Sequence, residues 1–97
     1  LSNLGLTRLI AADNQILSVV PAASMRQLRV LDVSRNYLSD ISPLSSLPQL
    51  ESVYIGGNDI WDVSDLGSIS SLREIYCSSI PADDFSAINT HVVRVYR

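Results

Sequence analysis

The sequence predicts an α/β solenoid: a right-handed coil of short repeats, with a parallel β-sheet on the concave face and short helical turns or irregular segments on the convex face. Three observations predict it. Apolar residues recur at one fixed interval, asparagine recurs at the same interval, and the 97-residue chain is 46% hydrophobic and only 18% charged. This composition is typical of a globular chain. We therefore expect one domain over residues 1–97.

The repeat holds its phase through four units, because the same residue types return at each shift of about 22 residues. The leading leucine column is Leu6, Leu28, Leu50 and Leu72. The two inward columns that follow are Leu9, Leu31, Val53 and Ile75, and then Ala11, Val33, Ile55 and Cys77. An asparagine column closes the pattern at Asn14, Asn36 and Asn58. The predicted repeats are about 6–27, 28–49, 50–71 and 72–93.

The pattern within each unit predicts a strand, a turn, one short helical turn and a segment that returns to the sheet. The alternation of Leu31, Asp32 and Val33 favours a strand with one buried face. Ser42 and Pro43 then indicate a helix start, with serine as N-cap and proline at the first helical position. Successive strands would run parallel, and such crossovers are right-handed in about 98% of cases.

The stretch "LRVLDVSRNYL" (residues 28–38) resembles the leucine-rich-repeat motif L-x-x-L-x-L-x-x-N-x-L at every position. "LESVYIGGNDI" and "LTRLIAADNQI" are similar to it, with Ala11 as the weakest match. The segment "ISPLSSL" resembles the internalin and phosphatase-regulator types of this family. The resemblance implies a protein-binding solenoid with an asparagine ladder that fixes the turns.

The three asparagines are predicted to be structural. Each lies between inward aliphatic residues where a strand turns away, and a buried amide without partners costs roughly 1–3 kcal/mol. Asn14, Asn36 and Asn58 should therefore hydrogen-bond to the backbone of their own turn and of the neighbouring unit.

The two ends of the chain depart from the repeat. Ile80 takes the fourth asparagine position, so residues 80–97 are expected to form an atypical C-terminal cap. Within this cap, residues 93–96 are predicted to form a last strand that arrives four residues early. At the other end, Leu1 and Leu4 look like the tail of a preceding unit. We therefore expect a piece of a larger protein that can associate through an uncapped N-terminal end.

Outward residues of the strands are the candidate binding residues. The central column is predicted as Ile10, Asp32, Tyr54, Tyr76 and Arg94. Because strands stack about 4.8 Å apart, Tyr54 and Tyr76 should be ring neighbours, and tyrosine and arginine are enriched at binding hot spots. The predicted partner-binding set is Val30, Asp32, Arg35, Tyr54, Trp61, Tyr76 and Arg94.

Each of these residues also has a simpler interpretation. The tyrosines could merely cover the sheet, and Trp61 could contact a partner at the rim or cover its own turn. Gly56 and Gly57 leave a shallow place beside Tyr54 or ease the turn into Asn58.

No metal, cofactor or catalytic site is predicted. Asp40, Asp62 and Asp84 share one column, but a Ca²⁺ site needs six to eight oxygens, so turn capping is the favoured role. His91 is the single histidine and nothing positions it for catalysis. Cys77 takes an inward position and is interpreted as a small core residue.

The sequence therefore predicts a non-catalytic protein–protein interaction module. The alternatives are a structural or assembly element of a larger protein and a regulatory segment attached to an enzyme. The net charge of −3 argues against nucleic-acid binding, and no apolar run reaches the ~20 residues of a membrane span. The lack of a leader segment favours the cytoplasm, whereas the internalin resemblance implies a bacterial cell surface; both compartments stay open.

Overall fold

The fold is a single five-stranded parallel sheet whose strands follow one another in chain order. The computed structural model describes residues 6–88 and 94–97. The strands are β1 (Arg8–Ile10), β2 (Val30–Asp32), β3 (Ser52–Tyr54), β4 (Glu74–Tyr76) and β5 (Arg94–Tyr96). The expectations for Leu1, Leu4, His91 and Val93 fall outside the described residues.

A short 3-10 helix follows each of the first four strands on the opposite side of the repeat. These helices are Val20–Ser24, Ser42–Ser46, Ser64–Ser68 and Ser86–Ile88. Bonds between residues three apart close them, as from Leu44 N–H to the Ile41 carbonyl at 3.0 Å. None of the helices in the described ranges is long and apolar enough to cross a membrane.

The core is a set of columns that run through the stack. In β2, β3 and β4 the middle residue is buried and its two neighbours are partly exposed. Inward residues of successive units lie against one another, and most are essentially inaccessible to water, among them Leu28, Leu31, Leu50, Val53, Leu72 and Ile75. Burial of such a side chain stabilises the fold by about 1.5–3 kcal/mol. Because a single unit is too small to enclose its own apolar side chains, its core is completed by its neighbours.

After each of the first four strands, the chain leaves the sheet through a residue with left-handed backbone. Asp13, Arg35, Gly57 and Ser79 have φ values of 60°, 56°, 69° and 61°. This conformation costs a non-glycine residue roughly 1–2 kcal/mol, and Gly57 adopts it without that cost. After Arg35 and Gly57, the turn directs the side chain of the following ladder asparagine, Asn36 or Asn58, back into the stack.

The amides of Asn36 and Asn58 link consecutive turns. The Asn58 Oδ1 accepts hydrogen bonds from Asn36 N–H at 3.1 Å and Leu38 N–H at 3.0 Å. Its Nδ2 donates to the carbonyls of Val33 and Ile55 at 3.0 and 2.9 Å. Asn36 repeats these contacts one unit earlier. Each amide thus binds backbone groups of its own turn and of the turn before it.

Caps of the 3-10 helices come from a column two residues ahead of each helix. The carboxylates of Asp40, Asp62 and Asp84 accept hydrogen bonds from the backbone N–H of Ser42, Ser64 and Ser86 at 2.9–3.0 Å. Ser18 does the same for Val20 at 3.1 Å. The expectation that Ser42 itself is the N-cap was wrong, because Ser42 already belongs to the helix and its N–H needs an acceptor from outside.

The register of the last strand also differs from the sequence expectation. Partners in the first four strands are separated by one full repeat, as in Tyr54 with Tyr76, whereas Glu74 pairs with Arg94 and Tyr76 with Tyr96. The final unit is thus two residues shorter than the others and not four. Arg94 was wrongly assigned to the central column, which Tyr96 occupies.

We expect Asn58→Ala to destabilise the fold by about 3 kcal/mol, because it leaves buried N–H and carbonyl groups of two turns without partners. Urea denaturation followed by circular dichroism measures this. The matched control is Asn14→Ala, since Asn14 is exposed and, among residues 6–88 and 94–97, its side-chain amide bonds only to its own turn. Equal losses from the two substitutions would contradict the account.

The cap carboxylates make stability depend on pH. Hydrogen bonds from the serines hold the pKa of all three carboxyl groups below the ordinary 3.8. For Asp40 and Asp84 the largest contribution is the backbone N–H of Ser42 and Ser86. For Asp62 it is the Ser64 hydroxyl. A lowered folded-state pKa stabilises the fold above the unfolded pKa, and this contribution is lost as pH falls through the folded value.

We therefore expect the Asp40→Asn/Asp62→Asn/Asp84→Asn variant to be less stable than wild type at neutral pH, since asparagine keeps the acceptor but not the charge. The difference should shrink as pH falls from about 4 to about 2. Thermal denaturation at stepped pH measures it. The control Asp59→Asn/Asp65→Asn/Asp83→Asn removes the same charge without touching a cap. A difference in stability between wild type and the variant that does not change with pH would contradict this explanation.

Candidate functional site

The sheet face is the outward surface formed by the alternate strand residues. Strand register brings its central column together as Ile10, Asp32, Tyr54, Tyr76 and Tyr96. The neighbouring column holds Arg8, Val30, Ser52, Glu74 and Arg94. Four of the predicted partner-binding residues, Val30, Asp32, Tyr54 and Tyr76, lie here as placed from the sequence, and Arg94 lies one column away from its expected position.

Three tyrosine rings stack along the central column. The centroids of Tyr54 and Tyr76 are 4.2 Å apart at an interplanar angle of 4°, and those of Tyr76 and Tyr96 are 4.5 Å apart at 6°. Tyr96 was not predicted in this column because the short last unit shifts the register. We call these three residues the tyrosine stack.

The Tyr76 hydroxyl stays neutral over a wide pH range. Desolvation by its neighbours raises its pKa to about 12, with further contributions from the hydrogen bond to Tyr54 and from the Glu74 charge. The middle of the stack therefore presents hydroxyl groups and no charge. Such a surface combines a large apolar area with hydrogen-bonding tips.

A depression of about 220 Å³ lies beside the tyrosine stack. Its walls include Tyr54, Tyr76 and Arg35, and Ser34 and Ser78 add hydroxyl groups. Gly56 forms its floor, where a Cβ atom would lie 2.6 Å from the Ser78 carbonyl oxygen. Gly56 is thus required for close strand approach, and Gly57 adopts its positive φ without the cost that the equivalent non-glycine residues bear. Their lack of side chains also opens the depression.

Charged side chains beside the stack form hydrogen bonds within the protein. Arg35 binds Asp13 through two hydrogen bonds, of 2.6 Å from Nε and 2.9 Å from an Nη. This pairing lowers the pKa of Asp13, chiefly through the side-chain hydrogen bond. Asp32 accepts from the Ser34 N–H and hydroxyl at 3.0 and 2.6 Å. Arg35 and Asp32 were predicted as binding residues, but these hydrogen-bond partners were not predicted.

The other predicted contacts lie apart from the stack. Arg94 is at the sheet border, 3.4 Å from Glu74. Trp61 lies beyond the Asn58 turn, off the sheet face; 71% of its surface is exposed, and its Nε1 donates to Asp59 at 3.2 Å. Trp61 and the tyrosine stack therefore belong to two different surfaces.

The described side chains include no grouping of three or more His, Cys, Asp or Glu residues able to hold a metal. Cys77 is buried, and desolvation raises the pKa of its thiol. A high thiol pKa disfavours the reactive thiolate. Cys77 thus packs as a small apolar residue.

Comparison with known proteins agrees with this architecture. The family description "Leucine Rich repeats (2 copies)" matches residues 5–46. The solved internalin C2 of Listeria monocytogenes superposes with a TM-score of 0.88 at 29% identity, over 97% of this chain and 42% of that one. Another Listeria internalin, InlF, gives 0.80 at 30% identity, over 86% of this chain and 25% of its own.

A leucine-rich-repeat protein of Leptospira interrogans shares the fold, with a TM-score of 0.81 at 16% identity over 94% of this chain and 25% of that one. The chain therefore spans less than half the length of each of these solved structures. No curated protein sequence matches the chain. With its regular units and parallel strands, the chain has a leucine-rich-repeat fold; its residues 5–46 match the leucine-rich-repeat family, and it resembles the internalins.

Proposed function

We propose that the chain is a non-catalytic protein-binding module that presents a rigid concave sheet face centred on the tyrosine stack. Leucine-rich-repeat domains are generally protein–protein interaction modules. The observation that carries the proposal for this chain is the stack itself, three parallel rings held 4.2 and 4.5 Å apart.

Preorganisation supports this function. Binding normally loses about 0.5–1.5 kcal/mol for each flexible side chain that becomes immobile. Here the rings of Tyr54 and Tyr76 already restrict each other, and the strands that bear them are tied by backbone hydrogen bonds such as Ile55 N–H to the Tyr76 carbonyl at 2.8 Å. These side chains therefore lose little conformational freedom when a partner binds.

The chemistry of the face indicates what a partner would contact. Arg35 is ion-paired with Asp13, whereas Asp32 keeps its negative charge while it accepts hydrogen bonds from Ser34. The centre therefore offers ring edges, hydroxyl groups and one carboxylate. The depression over Gly56 has room for a small side chain. A partner surface of apolar and polar groups, with a hydrogen-bond donor opposite Asp32, fits these features, and Val30, Arg35 and Arg94 lie at its border.

We expect Tyr54→Ala/Tyr76→Ala to weaken partner binding at least about a hundredfold, since tyrosines at the centre of an interface dominate its energetics. A partner identified by affinity capture from the source cells is purified and titrated by calorimetry against wild type and variant.

The control is Ser45→Ala/Ser68→Ala on the opposite, helical side, which should bind within about twofold of wild type. Circular dichroism verifies that both variants are folded. Unchanged affinity of the folded tyrosine variant refutes the sheet face as the binding surface.

An apolar depression favours a second candidate function, that of an assembly element. About 190 Å³ in volume, it is lined in the first unit by Leu9, Ala11, Ile16, Val19, Ala22 and Met25. Ala11 and Ala22 are small where later units have larger aliphatic residues, such as Val33 and Leu44. A second protein element placed there would bury apolar surface.

If this depression mediates assembly, native mass spectrometry should show oligomers that increase with concentration, since apolar burial drives association. A monomer at every concentration, with the sheet face still binding its partner, would leave only the first function.

A further inference from the structure

A groove beside Trp61 forms a second surface, separate from the tyrosine stack. Its volume is about 400 Å³ and its lining is Trp61, Asp62, Ser64, Asp84, Ser86 and Ala87. This size lies within the range of small-ligand sites. The indole is a wall of the groove and not part of the core, because 71% of its surface is exposed.

Negative charge surrounds the indole. Asp62 and Asp84 line the groove, Asp59 accepts the Trp61 Nε1–H at 3.2 Å, and Asp83 holds the position equivalent to Trp61 in the next unit. The ion pairs found among residues 6–88 and 94–97 all lie elsewhere, at Arg29–Glu51, Arg35–Asp13 and Arg94–Glu74. Arg97 rests instead over the Phe85 ring, 4.2 Å from its centroid.

The groove carboxylates are held in place but keep binding capacity. Each accepts the N–H of a helix serine, Ser64 for Asp62 and Ser86 for Asp84. An ionised carboxylate has about four lone-pair sites, so these caps leave sites for a ligand. The two aspartates are close enough for the charge of Asp84 to act on Asp62.

We infer that the Trp61 groove binds an arginine or lysine side chain from a basic peptide segment of a protein partner. A cation over an indole face is the most favourable cation–π arrangement, and the paired aspartates supply charge-assisted hydrogen bonds to the same group. An aromatic ring among carboxylates is complementary to a cation and repels an acidic or anionic ligand.

Orientation of the indole supports ligand binding over local covering. A covering residue would bury its surface against the turn, whereas Trp61 leaves most of its surface in water and is fixed at the ring nitrogen by Asp59. The groove contains none of the three tyrosines. A negative result for binding at the sheet face would therefore leave the proposal for the groove unaffected, and the reverse also holds.

Trp61 is the single tryptophan of the chain, so intrinsic fluorescence reports directly on the groove. The probe is a short acetylated and amidated peptide of alternating glycine and arginine; its matched control replaces arginine with citrulline, the neutral isostere. We expect a saturable fluorescence change with the arginine peptide and at least about tenfold weaker binding of the citrulline peptide.

Two double variants test whether the groove carboxylates bind the arginine peptide. Asp62→Asn/Asp84→Asn keeps both caps but removes the groove charge and should weaken binding about tenfold. Glu51→Gln/Asp65→Asn removes the same net charge outside the groove and should bind within about twofold of wild type. Equal binding of the two peptides, or equal losses in the two variants, would overturn the inference.

Calorimetry with the same arginine peptide tests the indole itself. Trp61→Ala should lose about tenfold in affinity and Trp61→Phe less, because phenylalanine is the weaker cation–π partner. Thermal denaturation should show both variants as stable as wild type, since the side chain is exposed. Wild-type affinity in Trp61→Ala rejects the groove as a cation site. So does wild-type affinity in both of the separate variants Trp61→Phe and Asp62→Asn/Asp84→Asn.

Discussion

The rest of the structure depends on the hydrogen bonds of the buried asparagine amides. Asn36 and Asn58 are enclosed by apolar side chains, where an unpaired amide is strongly unfavourable. Partners for the whole amide exist only when two consecutive turns are adjacent and in register, because Oδ1 binds the preceding turn while Nδ2 binds carbonyls of both. This requirement fixes the spacing of the units and, through it, the alignment of the strands.

Function depends on that alignment because equivalent residues of successive units become neighbours. Tyr54 and Tyr76 are one full repeat apart in sequence, yet their rings are in stacking contact. Asp13 and Arg35, and likewise Asp62 and Asp84, have the same separation and also interact. The solenoid thus converts a sequence period into columns of side chains. One column forms the tyrosine stack, and another contributes to the Trp61 groove on a different side.

Much of this architecture is predictable from the sequence because the repeat couples local and long-range order. A constant period with inward aliphatics such as Leu31 and Val53 determines strand position, parallel order and which residues share a column. The contact of Tyr54 with Tyr76 follows from the same period. Where the period holds, a single sequence therefore contains tertiary information.

Prediction failed where the period did not hold or where competing partners decided the geometry. The last unit is two residues shorter, and nothing before Arg94 indicates this, so Tyr96 was missed as the third ring. Ser42 was assigned as a cap, but the neighbouring carboxylate of Asp40 is the acceptor in the structure. The proposed cation binding at Trp61 was not derivable from the sequence, because it depends on which aspartates pair with arginine after folding.

The most direct test of the central claim is the proton NMR spectrum of the tyrosine rings. Tyr76 lies between Tyr54 and Tyr96, so its ring protons should be the most upfield-shifted of the four tyrosines through the ring currents of both neighbours. In folded Asn58→Ala this shift should diminish, because the register loses its constraint. Tyr76 signals at unfolded-chain positions in the wild type, or an unchanged shift in the folded variant, would contradict the account.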